Sequence, residues 1–169
     1  LHEISNVMRK IDAIALIGTG ARATSLKEKW TMRTSVHTAM CFGWKPTQYC
    51  NKSCGITFLL KDKWAKCVSA VYDPPKLLMG RLAAIILRNQ SDDITLIACY
   101  FPHRGLYHQS KHEQLVLGMC NWITKTLDAL PSRTMPVFLG DFNDQFGLVR
   151  DERGVLAADG EGVTGHTTS

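Results

Sequence analysis

Pro136-Val137-Phe138-Leu139-Gly140-Asp141-Phe142-Asn143 runs an apolar strand straight into an acid and an amide two residues apart. At a strand period of two, Asp141 and Asn143 project from one face while Phe142 turns into packing on the other. Gly140 carries no Cβ, so another group can approach its backbone closely. A carboxylate beside a carboxamide at a strand end suits two jobs. The acid can take a proton from water or help hold a hard cation; the amide can orient that water or contact an oxyanion. The same pair also suits a plain strand-to-loop turn with local side-chain-to-backbone bonds. A second strand ends in Tyr100-Phe101-Pro102-His103-Arg104-Gly105. There the phenol can donate to a phosphate oxygen and Arg104 can add a charge-assisted bond. An edge tyrosine packing on the proline is the structural alternative.

Other chemistry-bearing residues read as structural. His37 and Cys41 are four apart, as are Cys50 and Cys54. Together they have the ligand types of a tetrahedral zinc site, but neither half has the common two-residue spacing, and Cys41 lies in an apolar run. Cys67, Cys99 and Cys120 sit in apolar stretches and read as small buried hydrophobes. His108 and His112 are followed by Glu113 rather than bracketing a Glu, so they read as a solvated helix start. Trp64 among Lys61, Lys63 and Lys66 reads as a strand-end cap rather than a base-stacking platform. Trp122 reads as packing and Asp73-Pro74-Pro75 as a rigid loop.

Regular elements must hold these groups in place. Leu1, Ile4, Met8 and Ile11 are spaced as on an amphipathic helix. Strands are expected at Ala13 to Ile17, closed by Gly18-Thr19-Gly20, then more weakly at Ser35 to Phe42, then at Ile56 to Leu60 and Val68 to Tyr72. Leu82 to Leu87 and Ile94 to Tyr100 flank the polar turn Asn89-Gln90-Ser91-Asp92-Asp93 and should pair antiparallel. Ser110 to Glu113 fits a capping box, followed by a helical stripe of Val116, Met119, Cys120, Ile123, Leu127 and Leu130 that ends at Pro131. Val137 to Leu139 follows as a buried strand, and no periodic element is evident from Gly147 onward. Helices packed on largely antiparallel sheets are the architecture this order favours.

Composition sets the limits. The chain has 169 residues, 45% hydrophobic and 21% charged, which excludes a disordered tail, a collagen and a coiled coil and predicts one domain. A net charge of +5, scattered along the chain, is compatible with a phosphate-bearing partner without demanding one. No apolar run approaches the ~18 residues of a membrane span, and the opening residues lack a signal-peptide pattern. Six cysteines without a framework spacing suggest a reducing, intracellular setting.

Taken in order, several landmarks resemble one family. They are Asp12 to Ile17, Cys54-Gly55-Ile56-Thr57-Phe58, Arg81 opening Leu82 to Leu87, Tyr100-Phe101-Pro102, and Gly140-Asp141-Phe142-Asn143. The order is similar to that of the endonuclease/exonuclease/phosphatase superfamily, the fold of abasic-site endonucleases, sphingomyelinases and inositol-phosphate 5-phosphatases. The Gly-Asp-Phe-Asn segment behind a long helix is most similar to the endonuclease domains of non-LTR retrotransposons, and the resemblance is clearest up to about residue 147. It implies an α+β, four-layer α/β/β/α sandwich of the DNase I kind and Mg²⁺- or Mn²⁺-dependent phosphodiester hydrolysis. It also implies a DNA partner in an intracellular, nuclear setting. Carried over residue by residue, Asp141 would orient or deprotonate the attacking water and Asn143 would position it, both near the metal. Tyr100 would bond the scissile phosphate. A phospholipid or inositol-phosphate substrate, or a degenerate remnant with at most nucleic-acid binding, are the alternatives on the same fold.

Three departures qualify the resemblance. Gly18 stands where the family places its metal-binding Glu, and Glu28 lies too far along to replace it. The family's opening strand would precede Leu1. Its closing Ser-Asp-His has no match, since His166 in Gly165-His166-Thr167 lacks the preceding Asp. The expectation is a domain incomplete at both ends, with unpaired edges, exposed apolar faces and little or no nuclease activity.

Overall fold

The computed structural model describes residues 10–24, 28–34, 36–47, 49–89, 93–103, 107–143, 148–150 and 156–158. The expected helix over Leu1 to Ile11 lies almost wholly outside them, as do Arg104 and His166.

Two four-stranded sheets carry the fold. The first contains β1 (Ala13–Ile17), β2 (Lys29–Arg33), β3 (His37–Phe42) and β4 (Ile56–Lys61), in spatial order β1-β4-β3-β2 and antiparallel throughout. The second contains β5 (Val68–Tyr72), β6 (Leu82–Arg88), β7 (Asp93–Tyr100) and β8 (Thr134–Asp141), in sequential order. A four-residue helix, α1 (Asp62–Ala65), leads from the first sheet to the second. β6 and β7 form the expected antiparallel hairpin, pairing Leu82 with Cys99 through to Arg88 with Asp93. β7 and β8 run parallel, joined through the 20-residue helix α2 (Gln109–Asp128), as a parallel pair requires a crossover.

The sheets face each other across one core. Phe42, Ile56, Phe58 and Leu60 from the first meet Ala83, Ile85, Leu87, Leu96 and Ala98 from the second, with Phe42 and Phe58 edge to face at 5.7 Å. Leu82, Ala84, Ile97 and Cys99 line the other face of the second sheet and meet Leu115, Met119 and Trp122 of α2. Covered on both faces, β6 is buried from Leu82 to Leu87. Its unbroken apolar run therefore reflects two-sided burial rather than alternation. Among the described residues β8 is an edge of its sheet, so the strand expected to be buried over Val137 to Leu139 has no buried residue, and Met135 and Phe138 stay exposed.

Several sequence expectations need correction. The buried stripe of α2 is Leu115, Met119, Trp122 and Thr126, rotated from the one expected. Trp122 sets the rotation, because its ring is buried with Nε1–H donating to the Asp73 carbonyl at 3.0 Å. Cys120 is consequently exposed and Cys67 only half-buried, while Cys99 is buried. The capping box does not form: α2 starts after His108, whose side chain makes no capping bond. Strand β2 and helix α1 were not anticipated, because both are largely polar and solvent-facing. Beyond Gly147 the backbone forms a small antiparallel pair, β9 (Leu148–Arg150) with β10 (Leu156–Ala158). No helix among the described residues is long and apolar enough to cross a membrane.

Candidate functional site

The strand ends that carry the sequence landmarks meet. Thr19 N–H donates to the Gly55 carbonyl at 3.1 Å, Gly55 N–H to Gly80 at 2.8 Å, Tyr100 N–H to Arg81 at 2.8 Å and Phe101 N–H to Asp141 at 2.8 Å. The ends of β1, β7 and β8 and the starts of β4 and β6 thus converge on one end of the sandwich. In the parallel ladder Tyr100 is the direct neighbour of Asp141. Leu96, Ala98, Val137 and Leu139 pack into the inter-sheet core, so by alternation Tyr100 and Asp141 lie on that same face. Phe101 and Phe142 go the other way, stacked at 5.6 Å beside the α2 cluster.

Gly140 makes the approach of the two strands possible. A Cβ there would sit 2.2 Å from the Cys99 carbonyl oxygen, closer than any side chain allows. The strand itself ends at Asp141, so strand alternation does not reach Asn143. Asn143 instead adopts a left-handed backbone, φ 46°, a conformation its short amide side chain tolerates. Its N–H donates to Asp141 Oδ1 at 3.0 Å, and its Nδ2 donates to the Phe101 carbonyl at 2.8 Å. The acid and the amide are therefore joined by a local turn, and the amide is also pinned to the end of β7. Asp141 is exposed and Tyr100 and Asn143 are half-buried.

Behind Tyr100 lies a group the sequence did not single out. Arg81 is 2% exposed, yet its bonds go to uncharged acceptors. Nε donates to the Tyr49 carbonyl at 2.6 Å, one terminal nitrogen to the Tyr100 carbonyl at 3.0 Å, and the other to the Tyr107 hydroxyl at 3.0 Å. The Tyr107 hydroxyl in turn donates to the Tyr49 carbonyl at 3.2 Å. The guanidinium also lies over the Tyr100 ring, 5.2 Å from its centroid. One planar cation thus ties together three segments, and Tyr100 is held through both its backbone and its ring. The sequence signal was an arginine directly ahead of a buried apolar run.

Among the described residues, Asp141 and Asn143 are the side chains this end offers to a cation. Mg²⁺ takes six oxygens in near-ideal octahedral geometry. Asp141 supplies one carboxylate, already accepting from Asn143 N–H, and the Asn143 amide is turned toward Phe101. Gly18 supplies no side-chain oxygen. Its backbone is left-handed, φ 69°, and a Cβ would lie 3.1 Å from the Ser53 carbonyl oxygen. Glu28 is committed elsewhere, ion-paired to Lys45 beside a small cavity lined also by Lys29, Asp73 and Lys76. Among the described residues no three His, Cys, Asp or Glu side chains cluster. The two halves of the weighed zinc pattern are also apart. His37 and Cys41 lie in β3, whereas Cys50 and Cys54 pack beneath Trp44.

The remaining candidates have structural roles. His112 bonds the Pro102 carbonyl at 3.1 Å, Trp64 packs against the inter-sheet core with the Lys63 ammonium over its ring, and Asp73 pairs with Lys29. The geometry can present a phenol, a carboxylate and an amide to one small polar ligand. No protein-family profile and no curated protein sequence matches the chain.

Proposed function

We propose that this chain is a phosphodiesterase-class domain with the DNase I-like sandwich, similar to retroelement endonucleases, and that it keeps the phosphate-facing half of the site but not the metal-binding half. The observation that carries the reading is the side-by-side placement of Tyr100 and Asp141 at the ends of two parallel strands, with Asn143 pinned beside them. In this reading the Tyr100 hydroxyl donates to a phosphate oxygen. The remaining Asn143 amide hydrogen donates to a second. Asp141 accepts the proton of the attacking water. Arg104 would add a charge-assisted bond to the same phosphate.

The superfamily resemblance implies Mg²⁺ or Mn²⁺, which Asp141 and Asn143 would help to hold, and no step is routed through it. Gly18 supports the second reading, a catalytically degenerate remnant. The turn it occupies is shaped for a residue without Cβ, so the missing carboxylate is built into the backbone. The two readings share DNA-phosphate binding and differ in turnover.

Binding of labelled duplex DNA at graded salt, together with nicking of supercoiled plasmid in Mg²⁺ or Mn²⁺, tests both. Binding should weaken steadily with salt, because phosphate neutralisation releases counterions. Tyr100→Phe and Asn143→Ala should weaken it further, and nicking should stay at background. Metal-dependent turnover that is abolished by Asp141→Asn would overturn the loss of catalysis. Salt-independent binding, or variants that bind as the parent does, would overturn the phosphodiester reading itself.

A further inference from the structure

Cys50 and Cys54 bracket the exposed turn Asn51, Lys52 and Ser53, yet both are buried, at 4% and 0% exposure. They pack together with Trp44 and against Tyr49 and Tyr100, and both are free thiols. The turn draws them together: Cys54 N–H donates to the Asn51 carbonyl at 2.9 Å and Ser53 N–H to Asn51 Oδ1 at 3.0 Å. Thr47 Oγ1 fixes the other end by accepting from Cys50 N–H at 3.0 Å.

We infer that Cys50 and Cys54 are a redox-modification site, closing into an intrachain disulfide beneath this turn when the protein meets a peroxide. The inference does not depend on the chain acting on DNA.

The two sulfurs are not equivalent. The Cys50 thiol donates to the Leu77 carbonyl at 3.4 Å, and its side-chain interaction with Cys54 is the largest influence on the titration of both sulfurs. That interaction and the positive charge of Arg81 both push the Cys54 pKa below the usual thiol value. The same interaction, together with burial, pushes Cys50 the opposite way. Arg81 makes the setting electropositive, as a thiolate requires, while the turn keeps both sulfurs buried. Cys99 makes the contrast: burial raises its pKa to about 12, which leaves it inert.

The chemistry balances with hydrogen peroxide, an oxidant small enough for a site under a single turn. The Cys54 thiolate attacks one peroxide oxygen, the O–O bond breaks, and hydroxide leaves and is protonated to water, giving a sulfenic acid at Cys54. Cys50 sulfur then attacks the Cys54 sulfur. The S–O bond breaks, the Cys50 proton and the departing hydroxide leave as water, and the S–S bond forms. Two thiols lose two electrons in all, and one peroxide becomes two waters.

The test uses the full chain, dosed with hydrogen peroxide, quenched, and alkylated in denaturant before digestion with trypsin. Cleavage after Lys52 separates the two cysteines, so a disulfide joins peptides 34–52 and 53–61. The joined pair should form at doses that leave Cys41, Cys67 and Cys99 alkylated, which assigns the bond to Cys50, and dithiothreitol should release it. In Cys50→Ser, whose hydroxyl can still donate to Cys54, dimedone should trap a sulfenic acid at Cys54. In Cys54→Ser, peroxide consumption should fall more than tenfold, because Cys50 keeps its proton. The inference is overturned if the joined pair appears only after unfolding, if exposed Cys120 oxidises while the pair stays free, or if dimedone labels Cys50 instead. The parent chain's peptide map decides the matter even where a serine variant does not fold.

Discussion

Replacing Arg81 by methionine isolates what a buried cation contributes when it is bonded to carbonyls and a hydroxyl. Met keeps most of the stem volume, so the change is in the guanidinium. Three bonds from a charged donor are lost, to the Tyr49 carbonyl, the Tyr100 carbonyl and the Tyr107 hydroxyl. Tyr49 keeps a partner, since the Tyr107 hydroxyl still donates to its carbonyl. Tyr100 loses its guanidinium bond at a buried position, where an unsatisfied acceptor costs about 1–3 kcal/mol. Bonds from charged donors are worth about 1.5–3 kcal/mol each, but removing the cation also recovers its desolvation cost. The balance is a destabilisation of about 2 kcal/mol, or a fall in Tm of roughly 4–8 °C for a chain of this size. Urea and thermal unfolding followed by circular dichroism measure it. Arg81→Lys should lose somewhat less, since an ammonium keeps the charge but cannot span three segments. A methionine variant as stable as the parent, within about 0.5 kcal/mol, refutes the reasoning. It would mean that the guanidinium is a net cost and that Tyr100 is held by packing alone.

Three further outcomes follow from single residues. Gly140→Ala places a Cβ 2.2 Å from the Cys99 carbonyl oxygen, so β7 and β8 must part; a loss of about 3 kcal/mol in urea unfolding is expected, and a neutral result would show that the ladder yields without cost. Gly18→Glu forces a side chain into a left-handed backbone and against the Ser53 carbonyl; it should cost about 1–2 kcal/mol and leave plasmid nicking at background, whereas gain of Mg²⁺-dependent cleavage would show that the turn accepts the carboxylate. The Asp93 carboxylate, enclosed and bonded to Arg133 at 2.8 Å with Arg88 at 3.5 Å, has its pKa lowered, first by the Arg133 hydrogen bond. A depressed carboxylate pKa stabilises the fold above the unfolded value of about 3.9 and the effect is lost as pH falls through the folded value. The stability of the parent should therefore decline below about pH 4, and Asp93→Asn should flatten that limb; identical acid limbs would exclude the pair as the cause.

Sequence reasoning reached the elements whose burial is expressed in their own residues. The β6–β7 hairpin is a pair of apolar runs between polar turns and could be read directly; β8 was placed by its apolar run, but at the sheet edge none of its residues is buried. Strand β2 could not be read, because four of its five residues are exposed and its pairing depends on β3 rather than on its own pattern. The rotation of α2 escaped because both candidate stripes contain apolar residues. What decides between them is a tertiary bond, from Trp122 to a carbonyl 49 residues earlier. At the site, strand periodicity indicated the ends of β7 and β8 but stopped short of Asn143, whose left-handed turn follows the last residue of β8. Arg81 was legible only as a charge beside an apolar run. Its burial depends on Tyr49 and Tyr107, which lie 32 residues before it and 26 after it.

The way the strand ends are tied explains how a phosphate-facing arrangement can outlast a metal corner. The bonds that gather these ends, from Thr19 to Gly55, Gly55 to Gly80, Tyr100 to Arg81 and Phe101 to Asp141, all run between backbone groups. Backbone bonds do not draw on a side chain's chemistry, so the gathering does not need a carboxylate at position 18. Tyr100 and Asp141 are held by the same kind of bond, reinforced by Arg81 from behind and by the Asn143 amide alongside. A scaffold built this way loses chemistry one side chain at a time without losing shape. On the proposed reading, phosphate binding, which draws on several of these groups at once, should persist where turnover has gone.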